Sequence, residues 1–341
     1  MSATSTHHKP RIAFIDALRG FTMLLVVYSH IQFFGYQDTT GMNEIFIKFR
    51  MPLFFFISGW VLYKKDRDWN NKTALTFLFT KFKVQIISTL IFFFLYIYIF
   101  HVDILSAIDH NKSGYWFTYT LFAYFIFYVV SIRISRLLKA MINEDIIVLT
   151  LTLAIIGFHY YTIHDDDLHH QRIYSIIGIP QWKYYAFFVF GTMVRKFYKT
   201  FVSITDNPWL MAICVSTFIL IYIFNPLSSS ITFSFCILGF LGVVIVFTVF
   251  RIHEEWFTAN KNISRWMQYI GRHTLDIYLL HYFFLPRNLE MIGVYFKDNS
   301  NATIELFFSI SIALMVIGVC LLVSKVLCIS PLLAKLLFGK K

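Results

Sequence analysis

Charge is scarce in this sequence. Asp, Glu, Lys and Arg make up 14% of its 341 residues, against roughly 25% in soluble domains. That shortage excludes an ordinary water-exposed globule. Cysteine is scarcer still: Cys214, Cys236, Cys320 and Cys328 are the four. All fall in apolar runs without paired spacing, which excludes a disulfide framework or a thiolate zinc site and leaves small packing residues. Internal repeats, low-complexity tracts and long polar linkers are missing too, so residues 1–341 read as a single membrane domain. No cleavable signal precedes the first apolar run, which is expected to stay in the membrane.

What the sequence has in quantity is apolar and aromatic. Hydrophobic residues reach 57%, mean hydropathy is +0.63, and there are 40 Phe and 20 Tyr. Runs long enough to cross about 30 Å of hydrocarbon lie near residues 12–34, 46–63, 84–100, 115–131, 146–163, 181–194, 208–225, 231–250, 273–293 and 304–328. The expectation is an all-α integral membrane protein of about ten transmembrane helices, with both termini cytoplasmic.

The basic residues support this arrangement. With the N-terminus inside, cytoplasmic segments hold 21 of the 30 Lys and Arg and external segments 7, while Arg19 and Lys325 lie within spans. This bias obeys the positive-inside rule along the whole chain. The net charge of +11 is thereby assigned to topology rather than to nucleic-acid binding, which would need one clustered patch. The loop "HDDDLHHQR" reads as solvated or substrate-touching rather than as a metal site, since its His and Asp lack helical ligand spacing.

Charges within apolar runs are costly and mark candidate sites. The first run, "DALRGFTMLLVVYSHIQFF", keeps Asp16, Arg19 and His30. Arg19 and His30 are 11 residues apart, so they share a helix face to within roughly 20° and stand about 16–17 Å apart along the axis. Asp16, one turn before Arg19, can offset its charge. This face suits a long anionic ligand entering from the cytoplasm with its reactive end near His30. It also suits a snorkelling Arg19 and a His30 that bonds a neighbouring helix.

The second run, "FRMPLFFFISGW", contributes Arg50 near the level of His30, Ser58 as a possible interhelical donor, and Gly59 as a point of close approach. Trp116 opens "YWFTYTL" at the outer interface. In "RHTLDIYLLHYFF", Asp276 and His281 point about 140° apart, so they are not one ligand pair.

Together these stretches resemble the acyltransferase 3 family of multi-pass membrane acyltransferases that modify cell-surface glycans. The resemblance rests on the Arg-x10-His spacing of "RIAFIDALRGFTMLLVVYSH", and on "FRMPLFFFISGW", "YWFTYTL" and "GRHTLDIYLLH" in the family's order. It implies a protein of the bacterial inner membrane that transfers an acyl group, usually acetyl from acetyl-CoA, to a sugar hydroxyl. His30 matches the family's essential histidine and Arg19 its partner arginine. Where the family often has two arginines three apart, "TKFKVQ" has Lys81 and Lys83 two apart, and the resemblance is to the stand-alone branch, without a fused soluble domain.

On this reading His30 is the base, or a transient acyl acceptor. Arg19, Lys81 and Lys83 hold the anionic part of the donor. Asp16, Arg50, Ser58, Gly59, Trp116 and His281 line or support the pocket. The partners are acyl-CoA as co-substrate, a glycan or lipid-linked saccharide, and membrane lipids, with no bound cofactor, metal or nucleic acid. The alternative is a transporter or flippase for a lipid-linked saccharide, which would also use intramembrane charge. No paired broken helices of an inverted repeat are visible to support it.

Overall fold

The computed structural model describes residues 12–38, 41–109, 111–138, 143–163, 172–224, 231–258, 262–299 and 301–340. Among these the chain is helical throughout its ordered elements, with no strand. A backbone in hydrocarbon must satisfy its own N–H and C=O groups, and uninterrupted apolar runs do so as helices. The loop "HDDDLHHQR" lies almost wholly outside the described residues.

Twelve of the helices among the described residues frame the fold. These are α1 (Ala13–Ile31), α2 (Asn43–Leu62), α3 (Asn71–Phe100), α4 (Trp116–Leu138), α5 (Glu144–Ile163) and α6 (Tyr185–Lys196). There follow α7 (Pro208–Phe224), α8 (Ile231–Ile252), α9 (Asn262–Arg272), α10 (Thr274–Phe284), α11 (Ala302–Leu327) and α12 (Pro331–Phe338). Among the described residues, seven segments are long and apolar enough to cross a membrane, and an eighth if α7 is joined to Tyr198–Thr205 across an 80° bend.

Two expected runs form shorter helices than a span needs. The run at 181–194 is α6, of 12 residues, and the run at 273–293 holds α10, of 11. At 1.5 Å per residue neither exceeds about 18 Å. Both are sheathed by longer helices, and eight of the 11 residues of α10 are buried. The third run also starts earlier than its hydropathy suggests. Helix α3 begins at Asn71, capped by the Asn70 side chain on the Thr73 N–H, so Lys81 and Lys83 sit inside a helix and not in the preceding loop.

Glycines set two close helix crossings. Gly59 of α2 lies against the Phe188 carbonyl of α6, and Gly191 of α6 lies against the Phe56 carbonyl of α2. Likewise Gly20 of α1 meets the Met267 carbonyl of α9, while Gly271 of α9 meets the Asp16 carbonyl of α1. Small residues let backbones approach closely where lipid supplies no hydrophobic drive. These crossings anchor α1 and α2, which carry most of the candidate site.

Two π-helical turns follow site residues directly: Gln32–Tyr36 after α1, just beyond His30, and Phe82–Ile87 within α3, just beyond Lys81. Each shifts the phase of the side chains after it. The first is held by a buried polar cluster. Glu305 at the start of α11 accepts from the Tyr28 hydroxyl at 2.9 Å, from Ser309 at 3.0 Å, and from the Gln32 amide. Asn43 donates to the Gln32 carbonyl oxygen at 2.9 Å and accepts from Ser29.

Candidate active site

His30 stands at the last turn of α1. Its Nδ1 lies 2.8 Å from Nε2 of His281 on α10, with the ring planes 8° apart and the centroids 5.1 Å apart. Nearly coplanar rings with so short a nitrogen contact are bonded edge to edge. The second nitrogen of His281 fixes the direction of that bond. Its Nδ1 is 2.8 Å from the Tyr278 carbonyl and 3.0 Å from the Ile277 carbonyl, which only accept, so Nδ1 carries the proton. Nε2 of a neutral His281 is then an acceptor, and His30 donates to it from Nδ1. This leaves the lone pair on His30 Nε2.

That ring faces a cavity of about 70 Å³ lined by Met23, Val26, His30, Arg50, Met51, Phe54, Gly114, Trp116, Phe117, Tyr278 and Tyr282. Its outer wall is shaped by a loop with unusual backbone. Lys112 and Ser113 have φ of 52° and 49°, and Gly114 follows at 95°. A side chain at Gly114 would be strained by that φ and would run into the Tyr282 ring. The Gly114 carbonyl accepts from both Tyr278 and Tyr282, at 3.2 and 3.0 Å. The loop thus pins the two tyrosines that flank His281. Burial pushes the Lys112 ammonium down to about 8, and its Nζ donates to the Ser175 carbonyl at 2.7 Å.

A larger cavity, of about 240 Å³, lies at the other end of the Arg19–His30 line. Its polar lining includes Arg19, Lys81, Ser58, Gln85, Thr118 and Thr274. The Arg19 Nη2 donates to Thr274 at 2.9 Å. Lys81 sits 5.4 Å from the Phe125 ring centroid, within cation–π range. The two cavities share Phe54, Phe117 and Tyr278. These rings form a partition, with centroids 4.8 Å apart for Phe54 and Phe117 and 5.7 Å apart for Phe117 and Tyr278.

The structure thus brings Arg19, Lys81 and Ser58 to one chamber, and His30, Arg50 and Trp116 to the other, with His281 behind His30. Lys83 is elsewhere, exposed with its Nζ over the Phe79 ring. Gly59 serves the α2–α6 crossing, and Asp16 stands one turn before Arg19 with its carbonyl against Gly271. Asp276 is tied to Ser324 at 2.6 Å and to Lys340, away from His281. Tyr278, Tyr282, Thr274 and Glu305 were not singled out from the sequence. The first two could have been, because Tyr278, His281 and Tyr282 fall at i, i+3 and i+4 on one helix face.

Residues 12–325 match the family model of an acyltransferase domain. A comparison with curated proteins returned no match, and neither did one with solved structures.

Proposed function

The chain belongs to the acyltransferase 3 family, and from that membership we propose that this membrane acyltransferase moves an acetyl group from acetyl-CoA to a hydroxyl of a cell-surface or lipid-linked glycan. The observation that carries this reading is the state of His30: Nδ1 is engaged by His281, so Nε2 is the basic nitrogen beside the cavity.

Nε2 takes the proton of the acceptor hydroxyl as its oxygen attacks the thioester carbonyl. The C–O bond forms, the C–S bond breaks, and the imidazolium returns its proton to the leaving thiolate. Arg19 and Lys81 bind the phosphates of the donor in the larger chamber, where a guanidinium fork suits phosphate. Lys83, exposed two residues on, has at most a steering role. The volume near His30, about 70 Å³, supports a short acyl group over a long chain. Trp116, stacked with Tyr184 at 5.9 Å and 20°, offers an aromatic face to a sugar ring. The location proposed is a bacterial inner membrane, with the Arg19 chamber open to cytoplasmic CoA.

The test is transfer of label from acetyl-CoA to glycan in membranes containing the native acceptor, wild type against His30→Ala at matched expression. Label in the wild type and its loss in the variant support the reading. Equal label in both makes His30 structural. No label from several acyl-CoA donors, with lipid-linked glycan trapped inside when the gene is deleted, replaces the reading with transport.

A further inference from the structure

The cavity at His30 contains a second group that base catalysis alone does not use. Arg50 is only 8% exposed. Among the described residues its Nε and Nη1 have no hydrogen-bond partner, although both are buried. Its Cζ lies 5.7 Å from the Phe33 ring centroid, and it shares the cavity wall with His30, Trp116 and Tyr282. A buried cation is normally retained with a carboxylate, because unmet donors in a dry site are destabilising. Among the described residues Arg50 is in no ion pair, and it lines the same small cavity as His30.

Resting on the acyl-transfer reading above, we propose that Arg50 is a catalytic residue whose Nε–H and Nη1–H stabilise the oxyanion of the tetrahedral intermediate. When the hydroxyl adds to the thioester, the carbonyl π pair moves onto oxygen while the hydroxyl proton goes to His30. The site then holds one new anion and one imidazolium. Collapse returns the pair to the carbonyl and expels the thiolate. Donors already in place and poorly hydrated are worth most when the charge appears, since they need not reorganise. Arg50 meets that condition from the wall of the cavity, with two N–H groups unspent in the resting protein. The two hydroxyls on the same wall, of Tyr278 and Tyr282, already donate to the Gly114 carbonyl.

The proposal separates Arg50 from Arg19. Arg19 binds the donor in both ground and transition states, whereas Arg50 acts only when the carbonyl oxygen becomes charged. Its loss therefore lowers kcat and leaves KM for acetyl-CoA nearly unchanged.

The experiment compares wild type, Arg50→Met, Arg50→Lys and His30→Ala in labelled acetyl-CoA transfer, with hydrolysis of acetyl-CoA to water followed in the purified protein. Arg50→Met is expected to lower transfer kcat by about 10²–10³-fold, with KM within about threefold. Arg50→Lys, which keeps the charge but not the fork, recovers part of the loss. Any hydrolysis falls by the same factor as transfer, because water forms the same oxyanion. Arg50→Met with kcat within threefold of wild type overturns the proposal. A rise in KM for acetyl-CoA at unchanged kcat overturns it too, as does a fall in transfer with hydrolysis intact, which makes Arg50 an anchor for the acceptor. If Arg50→Met does not fold, the kcat of Arg50→Lys decides between the same outcomes. Absence of transfer by wild type, or full activity of His30→Ala, fails the underlying acyl-transfer reading instead.

Discussion

His281 presents Nε2 to His30 Nδ1 at 2.8 Å, and its own Nδ1 is tied to carbonyls of its helix. The buried donor–acceptor chain therefore runs from the backbone of α10 through two imidazoles to the cavity. His281→Ala removes the acceptor that fixes the tautomer of His30. Transfer is expected to fall about 10²-fold, with KM for acetyl-CoA unchanged, in initial-rate assays on membranes. Wild-type rates in this variant would show that the pair plays no part in proton transfer.

Arg19 and Lys81 share the larger chamber, and the proposed function assigns them to donor binding. Arg19→Gln is expected to raise KM for acetyl-CoA by tenfold or more, since a charge-assisted hydrogen bond contributes about 1.5–3 kcal/mol. The penalty disappears with acetyl-pantetheine, which lacks the nucleotide phosphates. An equal penalty on both donors would place Arg19 in the chemistry or the packing.

The α2–α6 crossing gives a stability prediction with an internal control. A Cβ at Gly59 falls on the Phe188 carbonyl, whereas one at Gly157 meets nothing within 4 Å. Gly59→Ala must push two helices apart and is expected to lose about 1–3 kcal/mol. Gly157→Ala is expected to leave the melting midpoint of the detergent-solubilised protein unchanged or slightly higher. Equal midpoints for the two variants would show that α2 and α6 have slack at their contact.

Lys112 makes the loop over the cavity sensitive to pH. Burial holds its ammonium near 8, below the ordinary 10.5, so the folded state releases this proton before the unfolded state does. Between pH 8 and 10.5 the unfolded chain binds more protons, and stability from this group rises with pH. Below pH 8 the penalty is constant. Melting of wild type relative to Lys112→Met is expected to improve from pH 7.5 to 9.5. A constant difference across that window would contradict the burial of the charge.

Long spans were legible because hydropathy reports what surrounds a helix when lipid does. It does not report length where protein replaces lipid, which is why the 12-residue α6 and 11-residue α10 resembled full spans. The Arg19–His30 alignment was legible because both residues lie on one helix before any π turn. Lys81 and Lys83 were not separable by spacing, since the turn at Phe82–Ile87 changes the period between them and the rest of α3. His281 could be suspected from its sequence, but its partner is 251 residues away on α1. Glu305 was hidden as a lone carboxylate at the edge of the last run, where composition gives no hint of the buried polar cluster it joins.

Phe54, Phe117 and Tyr278 stand between the two chambers. A group carried on a slender uncharged arm can slip past rings that turn about their side-chain bonds. A hydrated ion must shed its water to do the same, against an aromatic wall that returns little of that loss. If the acyl group passes there, the protein can work across an energised bilayer and remain an electrical insulator throughout the cycle.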